Sequence, residues 1–330
     1  MSLFTEVPIK SLELDHPLLY ASLVIDQAKL RNSSVSSSLR SKLENHCSAL
    51  KIDSRYIEEL NIIDYLAKTY NLGIEYNQTE EQDQVWIFMG TLAIYLFQFD
   101  DHFDTPSNTP ENISRLSKEM RTLLRALSMF GLSGLQGDLD EWPNTVPLKE
   151  AYLWLLRKAE VLRKGTAELI HQTFLDYCFG VESELLEWAP DVYQGDTSAW
   201  DFCRYNEIRK RSGGAMFALT APLYVINKWL KKETFTSCSD LMYDEAIVCV
   251  LANDIVGMKT KQVDSPAIGM TALKITSANE IAQHHNDKVM CLRKNILDLE
   301  GDTRRFMEEI EVTIAGLFLW QCNARRYNVN

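Results

Sequence analysis

Residues 84–104 read QVWIFMGTLAIYLFQFDDHFD. The stretch is apolar and aromatic over most of its length and contains no proline. Its pattern predicts a helix over 82–102 that is buried on most sides. The helix then runs into an acidic cluster. Asp100 and Asp104 are four apart and share one face, whereas Asp101 is turned by about 100° from Asp100. Like charges at that spacing repel, and an unpaired carboxylate beside a buried helix is expensive. A divalent cation removes the conflict, because Mg²⁺ takes few protein carboxylates, keeps several waters and binds phosphate oxygens. The plainer account is an acidic helix end that meets solvent, since short acidic motifs also arise by chance. Trp86, Tyr95, Phe97, Phe99 and Phe103 surround the acidic end, which weighs toward a built site. Aromatics at helical spacing would otherwise be ordinary core.

Outward from this stretch the chain reads as helix after helix. Apolar periodicity recurs over 115–131, 148–180, 199–230, 241–262, 278–299 and 303–325. Alternating strand-like runs bounded by hairpin turns are missing. The breaks at 31–38, 105–112, 135–144 and 189–198 are polar and rich in turn residues, and none has the length or bias of an interdomain linker. The expected architecture is all-α, with a poorly defined N-terminal segment over 1–50 packing on one helical domain over 51–330. Of the 330 residues 46% are hydrophobic and 24% charged, enough apolar material for a sizeable core. Lys+Arg 34 against Asp+Glu 46 gives a net charge of −12, which argues against a nucleic-acid partner. It does not argue against an anionic substrate bridged to carboxylates by metal. Seven cysteines, none in a CxxC pair, fit a reducing compartment. With neither a signal peptide nor a run of about 18 apolar residues, a cytoplasmic protein with no membrane span is expected.

Three further polar patches interrupt apolar helices. In YDEAIVCVLANDIVGMKTKQVD (243–264), Asn253 and Asp254 appear abruptly, and Asn253, Gly257 and Lys261 share a face to which Asp264 returns. An Asn inside a helix needs a partner, and a satisfied buried hydrogen bond is the plain explanation. In RYNEIRKRSGGAMF (204–217), Tyr205 and Arg209 are i,i+4 neighbours, and Gly213-Gly214 should break the helix just beyond them. A guanidinium beside freed backbone suits bidentate phosphate recognition. The C-terminus carries Trp320, Arg325, Arg326 and Tyr327. Basic residues there could simply complement a helix dipole.

The four patches, in this order on an all-α chain, resemble the class I terpene synthases of the microbial, single-domain type. The resemblance runs from about residue 80 to the end. It implies a helical bundle around a central apolar cavity. DDHFD (Asp100, Asp101, Asp104) is similar to the family's aspartate-rich metal motif, and Asn253-Asp254 to the start of its second metal motif, NDxxSxxxE. Arg209 resembles the diphosphate-sensing arginine, with Ser212, Gly213 and Gly214 at the helix break that triggers ionisation. Arg326-Tyr327, preceded by Trp320, resembles the C-terminal pair that hydrogen-bonds the diphosphate. The resemblance implies two or three Mg²⁺ ions, or Mn²⁺, and a prenyl diphosphate, farnesyl before geranylgeranyl. The substrate would be ionised, with Mg²⁺, Arg209, Arg326 and Tyr327 stabilising the leaving group. The carbocation would then be cyclised in a dry pocket whose ring faces attract cations. Trp86, Phe97, Phe99, Phe103, Phe202, Met216, Phe217 and Trp320 are the lining candidates, Phe99 foremost because it adjoins Asp100.

One departure stands out. The family's pattern has a hydroxyl residue at Gly257 and a carboxylate at Lys261. Water can fill the first position, but a protonated lysine cannot ligate a metal. Asp264 could supply the carboxylate, Lys261 could touch the diphosphate in place of one metal, or the site could be weakened; the second account is favoured here. A prenyl chain-elongating synthase and a non-catalytic isoprenoid-binding protein remain as alternatives. The sequence leaves product and oligomeric state, monomer or homodimer, open.

Overall fold

The computed structural model describes residues 3–7, 15, 17–30, 37–70, 79–103, 109–130, 139, 141–194, 201–257 and 277–324. Two short strands, β1 (Phe4–Val7) and β2 (Leu18–Ala21), are followed by α1 (Ser22–Leu30), α2 (Ser37–Ala49), α3 (Arg55–Glu59) and α4 (Ile62–Tyr70). Next come α5 (Glu80–Phe103), α6 (Pro110–Met129), α7 (Lys149–Leu162) and α8 (Thr166–Ser183). A π-helical turn (Glu184–Trp188) carries α8 into α9 (Ala189–Gln194). The chain continues as α10 (Phe202–Ser212), α11 (Ala215–Ile226), α12 (Lys232–Ser237), α13 (Ser239–Gly257), α14 (Ala278–Leu297) and α15 (Gly301–Gln321). The fold is an all-α bundle. Among the described residues no helix is long and apolar enough to cross a membrane, and the seven cysteines are free.

Local chemistry sets the helix ends. Thr109 caps α6, accepting from the Asn112 amide ahead of Pro110 in the first turn. Asp201 caps α10 through the Arg204 amide, and Ser277 with Glu280 closes a capping box on α14. Two long apolar runs are split, the first unexpectedly and the second where the glycine pair predicts it. The run over 148–180 breaks at Arg163–Gly165, where Gly165 has φ +84°, and the run over 199–230 breaks at Gly214, with φ +65°. Apolar periodicity continues across both breaks because both halves face the same core.

The N-terminal stretch, where sequence defined no element, is built into the bundle. β1 and β2 pair antiparallel with Phe4 opposite Ala21 and Val7 opposite Leu18. Four residues per strand are too few to show alternation. Asn286 of α14 clasps β2, accepting from the Leu19 amide at 2.8 Å and donating to the Pro17 carbonyl at 3.0 Å. α1 lies on α15, and α2 on α5.

α11 is buried from Ala215 to Val225 yet contains Pro222. Proline has no N–H, so the carbonyl four residues earlier, on Ala218, loses its helical donor. The Tyr70 hydroxyl of α4 donates to that carbonyl at 2.6 Å. Tyr70→Phe should orphan it and destabilise the fold by about 1–3 kcal/mol, read from the urea midpoint. Arg163, at the α7–α8 break, closes the other end of α11. It donates to the carbonyls of Tyr224, Asn227 and Leu230 and lies 3.5 Å over the Tyr224 ring.

A buried polar cluster joins β2, α13, α14 and α15. Arg293 pairs with Glu311 at 2.5 Å beside Glu245 and Tyr20. Burial pushes Glu311 up to about 7 against the pull of Arg293, and pushes His285 of the same helix as Arg293 down to about 4. Their effects on stability oppose each other. Unfolded His285 takes a proton that the folded form refuses, so its contribution is gained as pH rises from about 4 to 6.5. Folded Glu311 keeps a proton the unfolded form releases, so its contribution is full below about 4.5 and is lost as pH rises through about 7. Glu311→Gln should therefore gain on the wild type steadily between pH 4.5 and 7 and level off above, whatever its offset at pH 4.5. Urea midpoints across that range measure the difference.

Candidate active site

The acidic end of α5 is stitched to its neighbours by tyrosines. Tyr177 of α8 donates to Asp100 at 2.8 Å, and Tyr56 of α3 donates to Asp101 at 2.6 Å. His102 meets Glu119 of α6 at 3.1 Å. Carboxylates at a helix C-terminus face the negative end of the dipole, so the phenol donors offset an intrinsic repulsion. Burial, reinforced by Asp100, holds the Tyr177 hydroxyl protonated, well above its usual range. Asp104 lies outside the described residues.

Arg209 of α10 is the hub of the second half. It grips Asp254 of α13 through two contacts, Nη2–Oδ1 at 2.6 Å and Nε–Oδ2 at 3.4 Å. Its Nη1 also lies 3.2 Å from Glu184 and 3.4 Å from the Ser212 hydroxyl, which itself bonds Glu184. Tyr205 donates to Asp254 at 2.5 Å. Burial alone would lower the affinity of Arg209 for its proton; Asp254, Tyr205 and Glu184 more than reverse this, so the guanidinium is charged. Burial raises the Glu184 carboxyl above its usual range against the pull of Arg209, and the negative charge of Asp100 adds to the rise. Glu184 thus feels both Asp100 and Arg209, which puts the acidic end of α5 and the polar patch of α13 in one electrostatic neighbourhood.

The glycine break explains how these helices come so close. A Cβ on Gly213 would lie 2.2 Å from Val250 of α13. One on Gly214 would lie 3.0 Å from Leu96 of α5 and 3.5 Å from Tyr177. Gly180 of α8 presses on the backbone of the same turn, its would-be Cβ 2.4 Å from the Ser212 amide nitrogen. The turn after Arg209 is therefore wedged between α5, α8 and α13, with no room for a side chain.

Asn253, next to Asp254, accepts from Gln321 of α15 at 3.0 Å, and the Gln321 Oε1 is a buried acceptor without a donor. Trp320 donates to the Leu60 carbonyl at 2.5 Å and packs edge-on against Tyr65. Gly257 is the last described residue of α13. Lys261, Asp264, Arg325, Arg326 and Tyr327 lie outside the described residues.

The lining candidates divide. Phe99 is 0% exposed, with Phe103 and Phe174 at 5.0 Å, Tyr177 at 5.8 Å and Tyr95 at 6.0 Å. A side chain with no accessible surface touches no water-sized space, internal or external. Phe217, Trp320 and Trp86 are equally enclosed, Phe103 and Met216 nearly so. Phe97, 5.9 Å from Trp320, and Phe202, stacked on Tyr205, are half-buried.

Several site residues had no separate sequence signal. Tyr56, Tyr177 and Glu184 act over long sequence distances. Gln321 carried one, a polar residue interrupting the apolar run GLFLW. Asp254 was visible, but as a companion of Asn253 and not as the partner of Arg209. Among the described residues no three carboxylate, imidazole or thiol side chains gather to hold a metal; the oxygen donors brought into this region are Asp100, Asp101 and Asn253.

No protein-family model and no curated protein matches the chain. Solved structures do. A variant of cucumene synthase is 13% identical, with 96% of this chain and 100% of that one covered at a TM-score of 0.58. Germacradien-4-ol synthase from Streptomyces citricolor is 14% identical over 98% and 99% of the two chains, at 0.54. A variant of the SVS_A2 protein from ancestral sequence reconstruction is 14% identical over 87% and 84%, at 0.61. At such identities the likeness concerns the fold.

Proposed function

We propose that this chain, whose fold is that of the class I terpene synthases, ionises a prenyl diphosphate with the help of Mg²⁺ and cyclises the carbocation to a hydrocarbon or alcohol, in the cytoplasm. The observation that carries the reading is the convergence of Asp100, Glu184, Arg209 and Asp254, with Asn253 adjoining, from four separate points of the sequence. The substrate favoured is farnesyl diphosphate, with geranylgeranyl diphosphate next.

The donor set suits magnesium. Asp100, Asp101 and Asn253 offer hard oxygens, and the orphaned Gln321 acceptor marks a polar end to an apolar region. A metal that keeps its waters and takes its remaining ligands from phosphate needs few protein donors. When bound, Mg²⁺ would supply Lewis-acid stabilisation of the departing diphosphate. Asp100, Asp101, Asp104 and Asn253 would hold it, with water serving at Gly257. Arg209 is oriented by Asp254 to present charge to the diphosphate, and Lys261, Arg326 and Tyr327 are assigned to the same group. Of the lining candidates, the half-buried Phe97 and Phe202 are left to face the carbocation.

The test is incubation of the full chain with Mg²⁺ and geranyl, farnesyl or geranylgeranyl diphosphate, followed by gas chromatography with mass detection. Cyclic C15 products are expected. Longer prenyl diphosphates would assign an elongating synthase instead, and absence of turnover a binding protein. Lys261→Glu should alter the Mg²⁺ dependence of product formation; an unchanged metal titration would remove Lys261 from the site.

A further inference from the structure

On the outer side of the π-helical turn lies a groove of about 740 Å³, between α6 and the start of α9. Glu184 turns inward to Arg209 and Ser212, whereas the next two residues, Leu185 and Leu186, line the groove. Ile113 adds to its apolar floor, and Leu186 is 40% exposed beside it. Along the α6 wall stand Lys118, Arg121 and Arg125, all exposed and spaced i, i+3, i+7 on one face. Among the described residues Arg121 pairs with Glu182 at 3.4 Å, and no carboxylate forms an ion pair with Lys118 or Arg125. Like charges stacked along a helix repel one another. A cationic wall on a chain of net charge −12 is local charge complementarity awaiting an anion.

We propose that this groove binds a free, single-chain anionic amphiphile, a hydrocarbon or isoprenoid chain bearing a phosphate-type head. The chain lies over Ile113, Leu185 and Leu186, and the head is held by Lys118 and Arg125 with Arg121 between them. The volume falls within the usual range of small-molecule sites, about 300–1,000 Å³. The pairing of an apolar floor with a cationic wall distinguishes this ligand from a neutral hydrocarbon or from phosphate alone. The proposal stands independently of the catalytic reading, because none of these side chains belongs to the Asp100–Arg209 site.

The experiment is isothermal titration of the full chain, without divalent metal, with dodecyl phosphate below its micelle concentration. One saturable site is expected that dodecanol and inorganic phosphate do not fill, and that weakens as salt is raised. Lys118→Glu/Arg125→Glu should weaken binding by about tenfold or more, the milder Lys118→Ala/Arg125→Ala by less, and Leu186→Asp should also weaken it, all with unchanged far-UV spectra. Asp101→Asn, at the far acidic end of α5, should leave it intact. Binding that survives the charge reversal, or that falls with Asp101→Asn instead, overturns the proposal. So does attachment to anionic lipid vesicles without binding of free amphiphile, which would make the face a membrane contact. A wild-type dimer dissociated by the reversal would make it a self-association surface and equally overturn it.

Discussion

Asp254→Asn should lower the stability of the protein by about 3 kcal/mol and, under the proposed function, slow diphosphate release by about a hundredfold or more. Asp254 and Arg209 are both buried, and the carboxylate answers three donors: two nitrogens of Arg209 and the Tyr205 hydroxyl. An amide of the same shape keeps one acceptor oxygen and turns an NH₂ toward donors. The guanidinium would then be left with Glu184, whose carboxyl is itself disposed by burial to hold a proton. A buried charge stripped of its partner costs more than the pair contributed. Asn is also nearly isosteric, so a large loss cannot be assigned to a cavity. The urea midpoint reads the stability. Single-turnover diphosphate release reads the activity, and a loss there well beyond the unfolded fraction would separate orientation of Arg209 from mere stability. If both stay at the wild-type level, Asp254 does not hold Arg209.

Gly180→Ala should destabilise by about 3 kcal/mol, an effect far out of proportion to one methyl group. The added carbon would lie 2.4 Å from the Ser212 backbone nitrogen and 2.8 Å from the Arg211 carbonyl carbon. Backbone on both sides cannot swing away as a side-chain tip can, so α8 and α10 must separate. That separation displaces the turn carrying Ser212 and loosens its bond to Glu184. Gly165→Ala provides the contrast. Gly165 has φ +84° but nothing within 4 Å of the added carbon, so only backbone strain of about 1 kcal/mol is expected. Thermal melts of the two variants should therefore diverge, and similar melting temperatures would mean that the α8–α10 contact yields easily.

Most of the helical order was legible because one physical rule, the burial of an apolar face at 3.6-residue spacing, governs every long segment. The break at Gly213-Gly214 was legible too, since two adjacent glycines leave the helix little reason to continue. The break at Gly165 was not, because the apolar pattern runs through it unchanged. β1 and β2 were missed because four residues do not establish a period of two. Within the site, Asp100, Asn253 and Arg209 announced themselves as polar residues where the pattern demanded apolar ones. Their partners did not. Tyr177 sits in a helix where tyrosine serves equally well as core, and its bond to Asp100 spans 77 positions. Glu184 follows an apolar helix as any exposed acid might, and only the π-helical turn directs it inward. Phe99 shows the converse limit: adjacency to Asp100 in sequence suggested an open pocket, whereas a helical neighbour is rotated by about 100° and here enters a closed cluster of rings.

Crystals of the full chain grown with Mn²⁺ and inorganic diphosphate would test the convergence of α5 and α13 most directly, through anomalous scattering. Manganese peaks should stand against the carboxylate of Asp100 and the side-chain oxygen of Asn253, with the diphosphate between them and within reach of Arg209. Manganese found at neither residue, with the diphosphate bound elsewhere on the molecule, would contradict the account.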